Sequence, residues 1–270
     1  MSTLLYENED IITAATRIAN AGHRRIELFC EIPGLYPGKV EDSTLDALAS
    51  LASLHGVVYS IHPPCKGLNP ASSDPEERAR VIKAYVGTIE LAERLGIRDM
   101  VVHCGSKSNP DVPREAAFDL AGDTLQTVGE AARRAGIAML LENTCWGETS
   151  ILRTPQDLVD LAGSCPPSTQ LLLDTGHAAI WGVSPVECAS AWLPRLGQIH
   201  AHDNHGEYDE HLPLGEGIID WCRLIHFLVE ESWNGVFMIE VGQQEDSARA
   251  LESSLDVVHK CLARRERVCG

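Results

Sequence analysis

Basic side chains are scarce in this chain: 22 Lys and Arg stand against 39 Asp and Glu, a formal net charge of −17. A protein that grips nucleic acid neutralises several phosphates with a basic face. Here the longest basic cluster is Arg264, Arg265 and Arg267 in the C-terminal tail, so long-range attraction of a polyanion is poor and nucleic acid is not an expected partner. Long apolar runs are absent too. Nothing approaches the ~20 residues that cross a bilayer, and the start, MSTLLYENEDIITAA, has no basic region of the kind a signal peptide carries. There are nine cysteines but no C-x-x-C pair; an odd, widely spaced set suits reduced thiols in a cytoplasm better than a disulfide framework. Cys30, Cys104, Cys188 and Cys222 read as small core residues. No G-x-G-x-x-G follows the first strand, which removes the phosphate turn of an open nucleotide-binding sheet.

What is present is alternation. Strands are expected at Thr3–Tyr6, Arg25–Phe29, Val57–His62, Asp99–Cys104, Ala138–Asn143, Gln170–Thr175, Gln198–Asp203 and Val236–Val241, each followed by a helix-like segment. Asp74-Pro75, Thr154-Pro155 and Ser184-Pro185 carry a capping side chain before a proline suited to the first helical turn. Gly96 and Gly136 stand where helices stop. Several strands are near-continuous apolar runs, as when both faces are buried. Eight such units over 270 residues predict one α/β domain, residues 1–270, folded as a (β/α)8 TIM barrel.

Six of these strands end in a residue type that binds metals: His62, His103, Glu142, Asp174, His200 and Glu240. A barrel points its strand ends at one mouth, so these side chains are expected to converge. Buried carboxylates are costly unless paired or bound to a cation, and the only basic residues near these ends are Lys66 and Lys107. Histidine with carboxylate suits zinc, manganese or iron. In LLLDTGHA, the turn at Gly176 brings His177 to the same mouth as Asp174. The segment IHAHDNHGEYDEHLPLGEG holds His200, His202, His205 and His211 with Asp203 and Asp209; Asp209 and His211, two apart, point the same way in an extended loop. Phe29, Trp146 and Trp181 are expected either to wall an apolar side of the pocket or to pack ordinarily. Glu27 either holds a substrate hydroxyl or is a satisfied barrel carboxylate.

Through VVHCGS, LLENT, LLLDTGHA, IHAHDN…DEHLPLGEG…DW and MIEV, the chain resembles the xylose-isomerase-like TIM-barrel superfamily over nearly its whole length. That group joins sugar isomerases and epimerases, inosose dehydratases and type IV apurinic endonucleases. In its small-sugar branch the resemblance implies a single divalent ion on Glu142, Asp174, His200 and Glu240, with the two glutamates moving protons on opposite faces of the substrate. His62, His103, His177 and Trp146 would then contact a sugar, sugar phosphate or related polyol. In its endonuclease branch the resemblance implies a three-zinc cluster on nine ligands: His62, His103, Glu142, Asp174, His177, His200, Asp209, His211 and Glu240. The expected cofactor is thus a divalent metal, one to three ions, with a small-molecule substrate and scope for a homo-oligomer. The favoured expectation is a metal-dependent isomerase or epimerase. The alternative is a multinuclear zinc phosphoesterase acting on a small phosphoester.

Overall fold

The computed structural model describes residues 1–144 and 148–269, with side chains as far as 264. Seven parallel strands pair in chain order: β1 (Arg25–Phe29), β2 (Val58–His62), β3 (Asp99–His103), β4 (Ala138–Glu142), β5 (Gln170–Asp174), β6 (Leu196–Ala201) and β7 (Val236–Ile239). Helices flank this nearly closed barrel, as the expected TIM-barrel class requires.

The expected strand at Thr3–Tyr6 is corrected: those residues form a 3-10 turn. The Ser2 hydroxyl accepts the Leu4 N–H at 3.3 Å, and this local bond turns the chain into a helical start. Only Met1 and Ser2 remain to fill the eighth place. They do so mainly by main-chain bonds, with the Met1 amine also reaching the Met238 sulfur at 2.7 Å. The Ser2 N–H donates to the Ile239 carbonyl at 2.9 Å, and the Glu27 N–H donates to the Met1 carbonyl at 3.0 Å.

Helix ends follow the sequence signals. Asp74 caps α3 (Pro75–Leu95), accepting the Glu76 N–H, and Gly96 ends it at φ +68°. Thr154 and Asp157 form a reciprocal capping box on α5 (Pro155–Gly163). In α1 (Ile11–Asn20), Ile11, Ala14, Ala15 and Ile18 are buried, the spacing of one apolar stripe; each such isoleucine stabilises the fold by about 2 kcal/mol.

Inside the barrel, Val101, Leu140 and Leu172 form a separate apolar cluster. Two residues further along the same strands stand His103, Glu142 and Asp174. Because side chains alternate along a strand, the apolar layer and the chemical layer share one face, and the first is the floor of the second.

One cysteine expectation is also corrected. Cys222 in α8 (Trp221–Glu230) is disulfide-bonded to Cys261 in α9 (Ser247–Cys269), with a Cα separation of 4.8 Å. The two lie 39 residues apart and meet only because these helices pack side by side. Cys30, Cys104 and Cys188 are free and buried, as expected. No helix among the described residues is long and apolar enough to cross a membrane.

Candidate metal centre and active site

Glu142, Asp174, His200 and Glu240 are buried and present donor atoms all within 4.8 Å of one another. Strand register puts them there, since His103 pairs with Glu142 and Asp174 with His200 across neighbouring strands. The strand ends are also tied together. Asn143 donates to the Asp174 carbonyl at 3.0 Å and accepts the Asp174 N–H at 2.7 Å.

His200 is oriented from below. Its Nε2 lies 2.9 Å from Glu27 Oε1, while its Nδ1 faces Glu240 Oε2 at 2.9 Å and Glu142 Oε1 at 3.7 Å. Glu27 itself is fully buried and takes hydrogen bonds from Gln198 at 2.6 Å and Ser60 at 3.1 Å. Both of those bonds go to Oε2; Glu27 Oε1 has no hydrogen bond and faces His200, so the carboxylate is turned into the barrel and only half satisfied there.

Three other histidines share one arrangement. His62 Nδ1 lies 2.8 Å from the Pro63 carbonyl, His177 Nδ1 2.7 Å from that of Asn143, and His211 Nδ1 2.8 Å from that of Glu240. A carbonyl only accepts, so each ring holds its proton on Nδ1 and turns Nε2 into the site, the orientation typical of metal-binding imidazoles. The Nε2 atoms of His177 and His211 meet on Asp209 Oδ2 at 3.2 and 3.3 Å. Those of His62 and His103 lie 3.2 Å apart.

The loop carrying Asp209 and His211 is organised by Asp203, which is not at the donor cluster. Asp203 accepts N–H bonds from Gly215, Ile219 and the Trp221 indole at 2.9, 3.2 and 2.8 Å. His211 sits in the left-handed region at φ +47°, a strain of roughly 1–2 kcal/mol of the sort found at functional sites. His205 points outward to Glu210.

His202 was given no role from the sequence. It is fully buried, with Nε2 at 3.0 and 2.9 Å from the two Asp174 oxygens and its ring stacked on His211 at 3.9 Å. A side chain at position 176 would collide with that ring, which accounts for Gly176. The signal was available: His202 lies two residues after His200, hence on the same side of the chain.

Electrostatically the centre is an array of ions. Burial opposes ionisation throughout, yet His103 holds the Glu142 carboxyl well below the usual range, and His177 and His202 lower that of Asp174. Against the same burial, Glu240 and Glu27 hold His200 well above an ordinary imidazole, and Asp209 pushes His211 up to about 9. His200 Nδ1 and Glu142 Oε2 are nonetheless buried without a hydrogen bond. An imidazole nitrogen and a carboxylate oxygen left without hydrogen bonds, among further carboxylates, fit a divalent cation that takes the place of the imidazole proton.

The pocket above these groups has a volume of about 410 Å³ and is also lined by Phe29, Cys65, Lys66 and Gln244. That is the size of a small-molecule site. Phe29 packs edge-on to His62 at 5.0 Å and supplies the apolar wall. Trp181 packs half-buried against the core, and Trp146 lies outside the described residues. Neither expected lysine reaches the strand-end carboxylates. Lys66 faces Glu7 and Glu31, and Lys107 donates to the Pro110 carbonyl.

Residues 15–261 match the family described as xylose isomerase-like TIM barrel. The protein MJ1311 of Methanocaldococcus jannaschii is 27% identical over 279 residues, covering 99% of this chain and 92% of its own. A probable endonuclease 4 of Oleidesulfovibrio alaskensis is 29% identical over 167 residues, or 56% of each chain. Among solved structures, a D-tagatose 3-epimerase-like protein superposes with a TM-score of 0.83 at 26% identity, covering 97% of this chain and 98% of that one.

Proposed function

Because the chain belongs to the xylose isomerase-like TIM-barrel family, we propose that it is a divalent-metal-dependent isomerase or epimerase of a small polyhydroxylated keto substrate. The observation that carries this reading is the placement of Glu142 and Glu240. Their carboxylates flank one edge of His200, 3.7 and 2.9 Å from its Nδ1, at the floor of a pocket of about 410 Å³. The likeness to a D-tagatose 3-epimerase-like protein supports it.

Glu142, Asp174, His200 and Glu240 would hold the ion. When bound, a divalent cation there supplies Lewis-acid polarisation of a carbonyl, which acidifies the neighbouring carbon-bound proton. One glutamate takes that proton and the other returns one from the opposite face or at the adjacent carbon. Both are carboxylates fixed at strand ends, which is what proton transfer in a defined geometry requires. Burial keeps bulk water away from the developing charge, and Phe29 offers an apolar face to the substrate backbone.

The test is incubation of the metal-loaded protein with a panel of ketoses and inososes in deuterated water. Incorporation of deuterium at a carbon next to the carbonyl is expected. No exchange with any of them overturns the proposal.

A second reading rests on a specific observation: His177, Asp209 and His211 form a further three-donor group beside the first. Together with His62 and His103 it would let the site hold several ions and hydrolyse a small phosphoester. The likeness to a probable endonuclease 4 bears on this reading. The pocket volume and the charge of −17 speak against DNA as its substrate.

A further inference from the structure

We propose that a cavity at the opposite end of the barrel from the metal centre binds a phosphate ester of a ring-bearing small molecule, with Arg195 as its anion anchor. The cavity has a volume of about 820 Å³, larger than the pocket above the strand ends. It opens where three strands begin. Gln170 starts β5, Leu196 starts β6 and Gly235 precedes β7, and all three residues line it. Asp174 and His200 stand further along β5 and β6, about 13 Å away at the rise of a strand, so this is a separate place.

Its charge is the reverse of the chain's. Against a net charge of −17, no aspartate or glutamate lines the cavity, and Arg195 is its one charged residue among those described. Arg195 is half-buried and rigidly held. Its Nε and Nη2 donate to the Thr169 carbonyl at 3.2 and 2.7 Å, and Nη2 reaches the Ala162 carbonyl at 3.4 Å. Carbonyls satisfy N–H groups but do not neutralise a charge; even the helix end to which Ala162 belongs offers only about half a negative charge. A partly desolvated guanidinium with no carboxylate beside it favours an anion, and its planar fork matches phosphate.

Thr169 supplies an independent sign of a ligand. It lines the cavity, is 2% exposed, and its hydroxyl has no hydrogen-bond partner. A buried hydroxyl left unpaired costs about 1–3 kcal/mol, and a phosphate oxygen would remove that cost. The hydroxyl and the guanidinium are kept together, because Arg195 is bonded to the carbonyl of Thr169 itself.

Trp233 walls the cavity. Its indole N–H donates to the Leu196 carbonyl at 2.7 Å, and any side chain at position 235 would collide with its ring. An indole fixed in this way packs against the face of a sugar or a base. Gln170 and Asn234 add exposed amides at the rim, which pair with hydroxyls or base edges. Free phosphate would leave the indole and most of the 820 Å³ unused; an ester with a ring uses both. The inference stands apart from the isomerase reading, since binding is read without turnover.

The chelator-treated protein, with no ion at the barrel mouth to draw phosphate, is titrated calorimetrically with inositol monophosphate, adenosine monophosphate and their unphosphorylated forms. Saturable binding of a phosphate ester, and not of its unphosphorylated form, is expected; which ester binds tells a sugar phosphate from a nucleotide. Thr169→Val removes only an unpartnered hydroxyl, so the fold stays and affinity falls about 2- to 10-fold. Asn234→Asp, in an exposed turn, sets a carboxylate against the ligand and should cost roughly tenfold or more. Arg195→Gln, checked for folding by its far-UV spectrum, should lose binding. Saturable binding of neither ester at millimolar concentration, equal affinity for the phosphorylated and unphosphorylated forms, or an affinity unchanged in both Thr169→Val and Asn234→Asp overturns the proposal.

Discussion

Glu27 Oε1 lies 2.9 Å from His200 Nε2 with both side chains fully buried. Burial raises the Glu27 carboxyl, but the facing His200 outweighs it and holds it at about 2. The pair fixes which nitrogen of His200 is left for the site. Outer partners of this kind are worth about 10–100-fold in metal affinity. Glu27→Gln keeps the shape and removes the charge, so competitive chelator titration should read a loss of that order with an unchanged far-UV spectrum. An unchanged affinity would show that the pair only packs the barrel.

Glu142→Gln and Glu240→Gln should each abolish exchange and turnover while the barrel stays folded, because an amide keeps one donor oxygen but takes no proton. General-base work contributes roughly 10²–10⁴-fold. Rates within about tenfold of wild type would remove these two from the proton path.

The strand ends were legible in the sequence because barrel topology does the convergence: an apolar run that stops at His62, Glu142 or Glu240 needs no long-range contact to be placed. Two kinds of feature were not. The Cys222–Cys261 bridge depends on how two helices pack, which spacing does not encode. The first strand was misread because the Ser2 hydroxyl accepts the Leu4 N–H, a local competition that outranks the short apolar run after it. His202 falls between. Its alternation with His200 was visible, but its grip on both Asp174 oxygens required the fold.

Chelation should leave the fold intact, since a barrel core of this size does not depend on an ion, and it should reveal a pH dependence of stability. His211 is raised to about 9 and His200 well above its ordinary value. Groups raised on folding stabilise fully below the unfolded value of about 6.5 and lose that contribution as pH climbs through the folded one. His62 is raised too, mainly by Glu142 against burial. The Met1 amine, lowered by burial to about 5, works in the opposite sense but is one group against three. The Tm of chelated protein should therefore fall from pH 6.5 toward 9, and zinc-loaded protein, with its imidazoles already deprotonated, should not follow it. A flat or rising Tm for the chelated form contradicts the charge states described above.

Asp209 separates the two functional readings. In the isomerase reading, His177, Asp209 and His211 shape the loop and grip substrate hydroxyls. Asp209→Ala then raises KM while metal content stays constant. In the hydrolase reading they hold an ion of their own, with Asp209 as its only carboxylate, and two imidazoles alone are a weak site. Asp209→Ala should then lower the stoichiometry by about one ion per chain. We expect the count to stay constant and KM to rise. The Asp209 carboxylate is 30% exposed, whereas the side chains of Glu142, Asp174 and Glu240 are almost fully buried, and an open carboxylate meets sugar hydroxyls at little desolvation cost. A count lower by one, read by elemental analysis beside wild type, would favour the hydrolase reading.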